Sequence, residues 1–261
     1  MKIATWNVNS LKVRLGHVVD WLESERPDIL ALQETKLKDE DFPSEELGSL
    51  GYRVAFSGQP AYNGVALIAR EAIADLRTGI AGFEDTERRV LAATIGRVRI
   101  YNLYVPNGQS VDSDKYRYKL RWLDALEREI AVELGRHRHV VLLGDFNIAP
   151  EDRDVYDPVA WEGKVLCSEP EREALARVLD LGLVDVFRLF EQAAGSFSWW
   201  DYRAGAFRRN RGLRIDLILA TEAMSARCTG CRIDTGPRRR ERPSDHTPVL
   251  AEFGALAGAG G

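Results

Sequence analysis

The chain has 261 residues, of which 45% are hydrophobic and 29% charged, and its formal net charge is −4. These values are ordinary for a soluble globular protein. The longest apolar runs have the length of strands, so no membrane span is predicted. The opening stretch MKIATWNVNS lacks the apolar segment and cleavage site of a signal peptide, which predicts a cytoplasmic protein without a membrane partner.

The charge is unevenly distributed along the chain. Residues 197–261 contain 11 Arg, no Lys and 7 acidic residues, while the rest of the chain is acidic. Because its net charge is negative, the protein as a whole is not expected to bind polyanions without specificity. A locally basic quarter on an acidic body instead predicts one face that contacts phosphates.

The three cysteines, Cys167, Cys228 and Cys231, do not form a disulfide framework, because their number is odd and the chain is long. Cys228 and Cys231 form a single C-x-x-C motif. There is no second such motif, and no histidine lies near it at a zinc-ligand spacing. We interpret these residues as ordinary thiols near a strand.

Hydrophobic periodicity predicts strands that come in runs, separated by a few helices. The predicted strands are 2–8, 28–33, 52–57, 64–70, 90–95, 98–104, 139–143, 213–220 and 247–253. Helices are predicted at 11–22, 116–134 and 171–182. This order favours an α/β sandwich, with two packed sheets flanked by helices, over a regular alternation of strand and helix. We expect one domain over residues 1–253 and a disordered low-complexity tail over 254–261.

Polar side chains stand at the ends or edges of six of these strands. They are Asn7, Glu34, Tyr104, Asp145, Asn147, Asp216, Asp245 and His246. A single Asp at a strand end is most often a turn residue, but Asp216 lies inside an apolar run, where an unpartnered carboxylate is costly to bury. His246 suits Asp216 as a partner, because a carboxylate fixes the tautomer of an imidazole and stabilises its protonated form.

Taken together, these side chains suit one chemistry. Glu34, Asn7 and Asp245 offer the hard oxygen ligands that Mg²⁺ or Mn²⁺ prefers. Asp145 is suited to orient or deprotonate a water, and the remaining groups to hold phosphoryl oxygens as negative charge develops. No Ser or Cys nucleophile in a recognisable setting and no glycine-rich nucleotide loop is found. The pattern predicts metal-assisted hydrolysis of a phosphoester by water.

Seven motifs in order resemble the bacterial exonuclease III and apurinic/apyrimidinic endonuclease family, within the endonuclease/exonuclease/phosphatase superfamily. They are ATWNVNSL, LQETK, YVPNG, GDFNIAP, SWWDYR, NRGLRIDLIL and SDHTPV, and they extend over nearly the whole chain. The resemblance implies a four-layer α/β sandwich with two packed mixed sheets. It also implies a metal-dependent DNA repair nuclease that hydrolyses phosphodiesters at abasic sites and from 3′ ends of double-stranded DNA.

The resemblance further implies roles for individual residues. The implied catalytic residues are Tyr104, Asp145, Asn147, Asp216 and His246. The implied metal site comprises Asn7, Glu34 and Asp245, joined by Asp145, Asn147 and His246 if two ions bind. Within this set, Asp145 activates the water or protonates the leaving oxygen, and Asp216 orients His246. The sequence does not choose between one ion and two.

The basic stretch FSWWDYRAGAFRRNRGLR interleaves aromatic residues with arginines, including Arg214. Next to a phosphodiesterase site, arginines are expected to contact phosphates and an aromatic residue to enter the duplex where a base is missing. The predicted DNA-binding residues are Asn107, Trp199, Arg203, Arg208, Arg209, Arg211, Leu213 and Ile215. The expected partner of this monomer is double-stranded DNA, above all abasic or 3′-blocked DNA.

The segment 150–171 departs from the family pattern in its middle, so the balance between abasic-site, 3′-exonuclease and 3′-phosphatase activity stays open.

Two other hypotheses about the function remain. One is a different phosphoesterase of the same fold, such as an inositol-phosphate phosphatase, a sphingomyelinase or an RNA deadenylase. The other is a catalytically inactive DNA-binding module, against which the complete set of eight site residues argues.

Overall fold

The computed structural model describes residues 1–256 and contains two six-stranded mixed sheets. The first sheet comprises β1 (Lys2–Asn7), β2 (Ile29–Gln33), β3 (Arg53–Ser57), β4 (Val65–Ala69), β11 (Cys228–Ile233) and β12 (Val249–Phe253), in the order β11-β12-β1-β2-β4-β3. The second comprises β5 (Ile73–Thr78), β6 (Val90–Ile95), β7 (Val98–Tyr104), β8 (Val140–Asp145), β9 (Leu183–Asp185) and β10 (Asp216–Thr221), in the order β5-β6-β7-β8-β10-β9. The predicted pair of mixed sheets is confirmed.

Six α-helices complete the fold of residues 1–256. They are α1 (Leu11–Glu25), α2 (Ser44–Ser49), α3 (Asp114–Leu134), α4 (Pro158–Trp161), α5 (Glu169–Asp180) and α6 (Glu222–Ser225). One apolar core fills the space between the two sheets, a second lies between α1, α2 and the first sheet, and a third lies between α3, α5 and the second sheet. The layers are therefore helix, sheet, sheet and helix, which confirms the four-layer sandwich.

A buried chain of polar groups joins the two sheets below the strand ends that carry the predicted site. The Gln33 amide donates to Asn102 Oδ1 at 2.7 Å and to Thr5 Oγ1 at 2.9 Å. Asn102 in turn donates to the backbone carbonyls of Leu32 and Ala66 at 2.9 and 2.8 Å. These bonds fix the height of one sheet relative to the other, and thus the relative positions of the residues that follow Gln33 and Asn102.

Three strands were not predicted from the sequence. β5 is exposed along most of its length, β9 has only three residues, and β11 has the sequence CTGCRI, in which glycine and polar residues interrupt any apolar run. The strand expected at 213–220 begins at Asp216, because Leu213 instead makes backbone bonds to Trp199. The three cysteines are free thiols, as predicted.

Within residues 1–256, no helix combines the length and the apolar character that a bilayer span requires. Of the tail expected over 254–261, residues 257–261 lie outside the described part of the chain. The expectation of a single domain over 1–253 stays a prediction.

Candidate active site

Three neighbouring strands of the second sheet place Tyr104, Asp145 and Asp216 in one row. β7 pairs with β8 so that Tyr104 lies opposite Asp145, and β8 pairs with β10 so that Asp145 lies opposite Asp216. Gly144 permits this register. A Cβ at Gly144, whose φ is +146°, would lie 1.9 Å from the carbonyl oxygen of Leu103, so only glycine allows the strands to approach here.

The first sheet contributes Asn7 and Glu34, which lie across the sandwich from that row. The Asn7 side-chain nitrogen donates to Glu34 Oε1 and to Asp145 Oδ2, both at 2.9 Å, while its oxygen accepts from the backbone of Asn9. Asn7 therefore holds one carboxylate from each sheet at a fixed separation. Its predicted role as a metal ligand stays a prediction.

His246 connects two of the carboxylates. Its Nδ1 lies 2.9 Å from Asp216 Oδ2, and its Nε2 lies 3.7 Å from Asp145 Oδ2. Ser198 donates its hydroxyl to Asp216 at 2.6 Å and so orients that carboxylate. Because Asp216 occupies Nδ1, Nε2 is the ring atom that faces Asp145 and the pocket.

The environment shifts the pKa values of this pair in a defined direction. Burial acts to lower the pKa of His246, but the carboxylates of Asp216 and Asp145 outweigh it and raise the pKa, so the imidazole is cationic at neutral pH. Burial raises the pKa of Asp145, assisted by the negative charge of Asp216 and opposed by His246. A carboxyl group tuned in this way is suited to exchange a proton near neutral pH.

Asp245, the residue before His246, also lines the pocket. Trp199 Nε1 donates to its Oδ2 at 3.0 Å, and Asn9 Nδ2 donates to its Oδ1 at 2.9 Å. Burial acts to raise the pKa of Asp245, but His246 and these two hydrogen bonds outweigh it and keep the pKa below its ordinary value. Asp245 is thus ionised and fixed in orientation.

Tyr104, Asn107 and Asn147 form another wall of the pocket. Asn107 donates its amide to Asn147 Oδ1 at 3.0 Å, and Asn147 donates to Asp145 Oδ2 at 3.1 Å. Burial, together with the charges of Glu34 and Asp145, raises the pKa of Tyr104 well above its ordinary value, so the phenol stays protonated. The Asn147 nitrogen also donates to the backbone carbonyl of Val105 at 3.0 Å, so hydrogen bonds within the protein fix the orientation of these groups.

These residues surround a cavity of about 160 Å³. It is lined by Glu34, Tyr104, Asn107, Asp145, Asn147, Leu166, Trp199, Ile215, Asp245 and His246. Its polar side carries the groups described above, and its apolar side consists of Leu166, Trp199 and Ile215. Leu213, predicted to contact DNA, is fully buried behind Trp199 and is bonded to its backbone at 2.9 and 3.0 Å. It supports this wall without being part of it.

The donor set fits a divalent cation. Ligand atoms of Glu34, Asp145 and His246 all lie within 4.8 Å of one another. Two of the three are carboxylate oxygens, the hard ligands that Mg²⁺ and Mn²⁺ take. Lys36 pairs with Glu34 at 2.9 Å and so neutralises part of the negative charge that gathers here.

The arginines of the basic stretch fall into two groups. Arg208, Arg209 and Arg211 are exposed, and none of them has a side-chain partner among residues 1–256. Arg203 is exposed too, but it is paired with Asp201 at 2.7 Å. Arg214 is buried and cannot reach DNA, because it forms ion pairs with Asp154 at 2.6 Å and with Asp185 at 2.7 Å.

Four residues of the site were not predicted from the sequence: Asn9, Lys36, Leu166 and Ser198. Ser198 and Asn9 act through hydrogen bonds to partners that are distant in the chain, and their sequence signal was membership of the motifs SWWDYR and ATWNVNSL. Leu166 lies in the segment that departs from the family pattern, and its φ of +76° is rare for a leucine. Lys36 is the last residue of the motif LQETK, so its sequence signal was the motif itself.

Comparisons with known proteins identify the family to which the chain belongs. The Endonuclease/Exonuclease/phosphatase family profile matches residues 4–246. Exodeoxyribonuclease III of Haemophilus influenzae is 35% identical to this chain over 97% of its length and 100% of that protein's.

Two solved structures share the whole fold. One is a 3′ phosphatase from Neisseria, NExo, bound to a product DNA hairpin. It has a TM-score of 0.96 at 47% sequence identity, and the match covers 98% of this chain and 100% of the NExo chain. An AP endonuclease from Archaeoglobus fulgidus has a TM-score of 0.94 at 40% identity, with coverage of 98% and 100%. The chain therefore belongs to the Endonuclease/Exonuclease/phosphatase family, as a phosphodiester hydrolase of the exodeoxyribonuclease III and AP endonuclease type.

Proposed function

We propose that this protein is a Mg²⁺- or Mn²⁺-dependent DNA repair nuclease that hydrolyses the phosphodiester at abasic sites and at 3′ ends of double-stranded DNA. The observation that carries the proposal is a linked set of side chains that faces a small pocket. Hydrogen bonds join Ser198 to Asp216 and Asp216 to His246, others join Glu34 to Asn7 and Asn7 to Asp145, and His246 Nε2 lies 3.7 Å from Asp145 Oδ2 between the two sets. We further propose that the protein acts as a monomer in the cytoplasm.

In this proposal the chain's own residues divide the chemistry among them. Asp145 takes a proton from the attacking water, since burial raises its pKa toward neutrality. The new P–O bond forms as the bond to the leaving sugar oxygen breaks, and that oxygen takes a proton from solvent. His246, kept cationic by Asp216, donates from Nε2 to a phosphoryl oxygen, and Tyr104 and Asn147 donate to the others as charge develops. Glu34 and Asp145, with the predicted ligands Asn7 and Asp245, are the residues that would hold a divalent cation. In the two-ion arrangement Asn147 and His246 would also be ligands, and His246 would then be the neutral imidazole instead of the cationic donor. A bound cation would supply Lewis-acid polarisation of the phosphoryl group.

The pocket favours a sugar that has lost its base. Its volume of about 160 Å³ is small, and its apolar side, formed by Trp199, Leu166 and Ile215, offers no polar group to a base edge. We infer that a bare deoxyribose packs against this wall better than a sugar that still carries its base. This supports abasic sites and exposed 3′ ends as substrates over intact duplex.

A substrate panel tests the proposal. With Mg²⁺ present, we expect cleavage of a duplex that contains a tetrahydrofuran abasic analogue, release of phosphate from a 3′-phosphate end, and much slower attack on an otherwise identical intact duplex. Turnover of inositol phosphates, sphingomyelin or polyadenylated RNA without turnover of the damaged duplexes would contradict it and favour another phosphoesterase of the same fold. Binding of the abasic duplex without any cleavage would indicate an inactive DNA-binding module.

A further inference from the structure

A fully buried ion pair lies directly behind the active site and takes no part in the chemistry proposed for it. Lys119 of α3 and Glu171 of α5 form a salt bridge in which both side chains are 0% exposed. A buried pair of charges is poor evidence of a contribution to stability, because desolvation offsets most of the attraction between the charges. The other groups that the pair touches are therefore informative.

Lys119 contacts both loops that carry the asparagines of the site. Its Nζ donates to the backbone carbonyl of Asn147 at 2.6 Å and to that of Asn107 at 3.2 Å. These are the same two residues whose side chains bond to each other across the pocket. The Lys119 ammonium group thus connects the backbones of the two loops whose asparagine side chains bond to each other at the pocket.

Glu171 secures the loop that forms part of the apolar wall. Its carboxylate accepts the backbone N–H groups of Leu166 at 3.0 Å and Ser168 at 3.1 Å, and the hydroxyl of Ser168 at 2.6 Å. Leu166 and Asn147 have φ angles of +76° and +49°. Such left-handed conformations of residues other than glycine persist only where surrounding contacts determine them.

We propose that the Lys119–Glu171 pair is a positioning device for the active site, which sets the Asn107 and Asn147 amides and the Leu166 wall in their catalytic arrangement. The inference rests on the proposed function, since it assigns Asn147 to the developing charge on phosphate. Lys119 and Glu171 are positioning residues and do not themselves touch substrate.

The chain offers a matched control. Arg99 of β7 and Glu133 of α3 form a second buried ion pair, with both side chains 1% exposed and Nε and Oε2 3.1 Å apart. Arg99 lies at the end of β7 away from Tyr104, and Glu133 lies near the C-terminal end of α3. Neutralising this pair disturbs the same helix and the same sheet but none of the site loops.

The test compares two double variants. The first combines Lys119→Met and Glu171→Gln, and the control combines Arg99→Met and Glu133→Gln. Steady-state cleavage of the abasic duplex should show kcat reduced by about 10- to 100-fold in the first double variant, with KM changed less than about threefold, as for other residues that orient groups at a reactive centre. The control should keep kcat within about threefold of the wild type. In metal-free buffer, amide hydrogen exchange should accelerate at residues 105–109 and 145–149 in the first variant alone.

Equal kcat values and equal exchange in the two double variants would overturn the proposal, as would an equal loss of kcat in both. If Lys119→Met with Glu171→Gln does not fold, Lys119→Gln with Glu171→Gln supplies a neutral donor too short to reach both carbonyls, and the same outcomes apply. Failure of the wild type to cleave the abasic duplex is a different result, because it contradicts the proposed function and not the positioning role, which the exchange measurement still tests.

Discussion

The contacts of His246 indicate that it works as one unit with Asp216. Asp216 accepts the Ser198 hydroxyl on one side and lies 2.9 Å from the imidazole on the other. Its carboxylate therefore sets both the tautomer and the charge of the ring. The kinetic consequence is that the loss of either residue should remove the contribution of both.

We predict that Asp216→Asn and His246→Ala each reduce the cleavage rate by about 10²- to 10⁴-fold, the range for acid–base and charge-stabilising groups. The double variant should be little worse than either single variant, since groups that act together are not additive. Single-turnover rates on the abasic duplex, with circular dichroism to verify the fold, provide the measurement. A double variant whose loss equals the product of the two single losses would show that the residues act independently.

The raised pKa of His246 also predicts a pH dependence of stability. A histidine has a pKa of about 6.5 in an unfolded chain, whereas the carboxylates of Asp216 and Asp145 outweigh burial and raise the pKa of His246 to about 10. Between these values the folded protein binds a proton that the unfolded chain does not, so stability falls as pH rises. The stabilisation is fully present below about pH 6.5.

Urea unfolding in EDTA at pH 6 and pH 9 measures this effect. The comparison is made in Asp145→Asn, because His246 opposes the rise in the pKa of Asp145 and its removal would also change the titration of that carboxyl group. The free energy of unfolding of Asp145→Asn should fall over that interval by more than that of Asp145→Asn with His246→Gln, which lacks the titrating imidazole. Equal losses of free energy in the two variants would show that His246 is not cationic in the folded protein.

At the scale of single elements, β8 depends on one glycine. A Cβ at Gly144 would lie 1.9 Å from the carbonyl oxygen of Leu103 on β7, so the two strands would have to separate at the point where they place Asp145 and Tyr104. The strand that delivers the central carboxylate therefore tolerates no side chain one residue before it.

Gly144→Ala should lower the free energy of unfolding by about 1–3 kcal/mol or more, the range for inserting an atom into a filled space, and should also slow cleavage. Gly230→Ala in β11 is the matched control, because a Cβ there meets nothing within 4 Å. Denaturant unfolding of both variants is the measurement. Equal stability of the two would contradict the register that places Tyr104, Asp145 and Asp216 in one row.

The segment 197–214 divides its residues between two tasks. Arg208 and Arg209 are exposed and without side-chain partners among residues 1–256, whereas Trp199 forms part of the pocket wall and is bonded to Asp245. Phosphate contacts act on all DNA and depend on salt, while a pocket contact acts only where the base is missing.

We therefore predict that Arg208→Ala with Arg209→Ala weakens binding to intact and abasic duplex alike. The slope of log K against log salt should decrease by about 0.9 for each phosphate that the protein no longer neutralises. Trp199→Ala should reduce the preference for abasic duplex and leave the slope unchanged. Binding of both duplexes across a salt series measures the two effects.

The charge-matched control for the arginine variant is Arg153→Ala with Arg177→Ala. Both residues are exposed arginines, and they pair with carboxylates at 2.7 and 2.6 Å. If this control flattens the slope as much as the removal of Arg208 and Arg209, the effect comes from net charge and not from a DNA contact.

Over the whole molecule, much of the fold and most of the site could be predicted from the sequence, for identifiable reasons. Nine of the strands consist of apolar runs bounded by turn residues, and the site residues stand where those runs end. β5 and β11 were missed because they lie at sheet edges, where one or both faces are exposed and the hydrophobic pattern disappears. The edge strand β3 was predicted because RVAFS keeps apolar residues at three of its five positions.

Tertiary contacts set the remaining features. Arg214 is one arginine among several in the sequence, and its burial is determined by Asp154 and Asp185, which lie on other elements. Lys119 lies within an amphipathic helix and would ordinarily face solvent, yet two loop carbonyls and Glu171 hold it inside. In residue type, Arg214 and Lys119 are the same as the exposed arginines and lysines of the chain, so only the folded structure distinguishes them.

The most direct test of the central claim is the rate at which the purified protein cuts a duplex containing one tetrahydrofuran site, first in EDTA and then after addition of Mg²⁺. We expect no cleavage in EDTA, strand scission at the analogue on addition of Mg²⁺, and a higher Mg²⁺ requirement for Glu34→Ala, because Glu34 offers a hard oxygen ligand at the pocket. Robust cleavage in EDTA, with metal shown to be absent, or a Mg²⁺ titration of Glu34→Ala that matches the wild type, would contradict it.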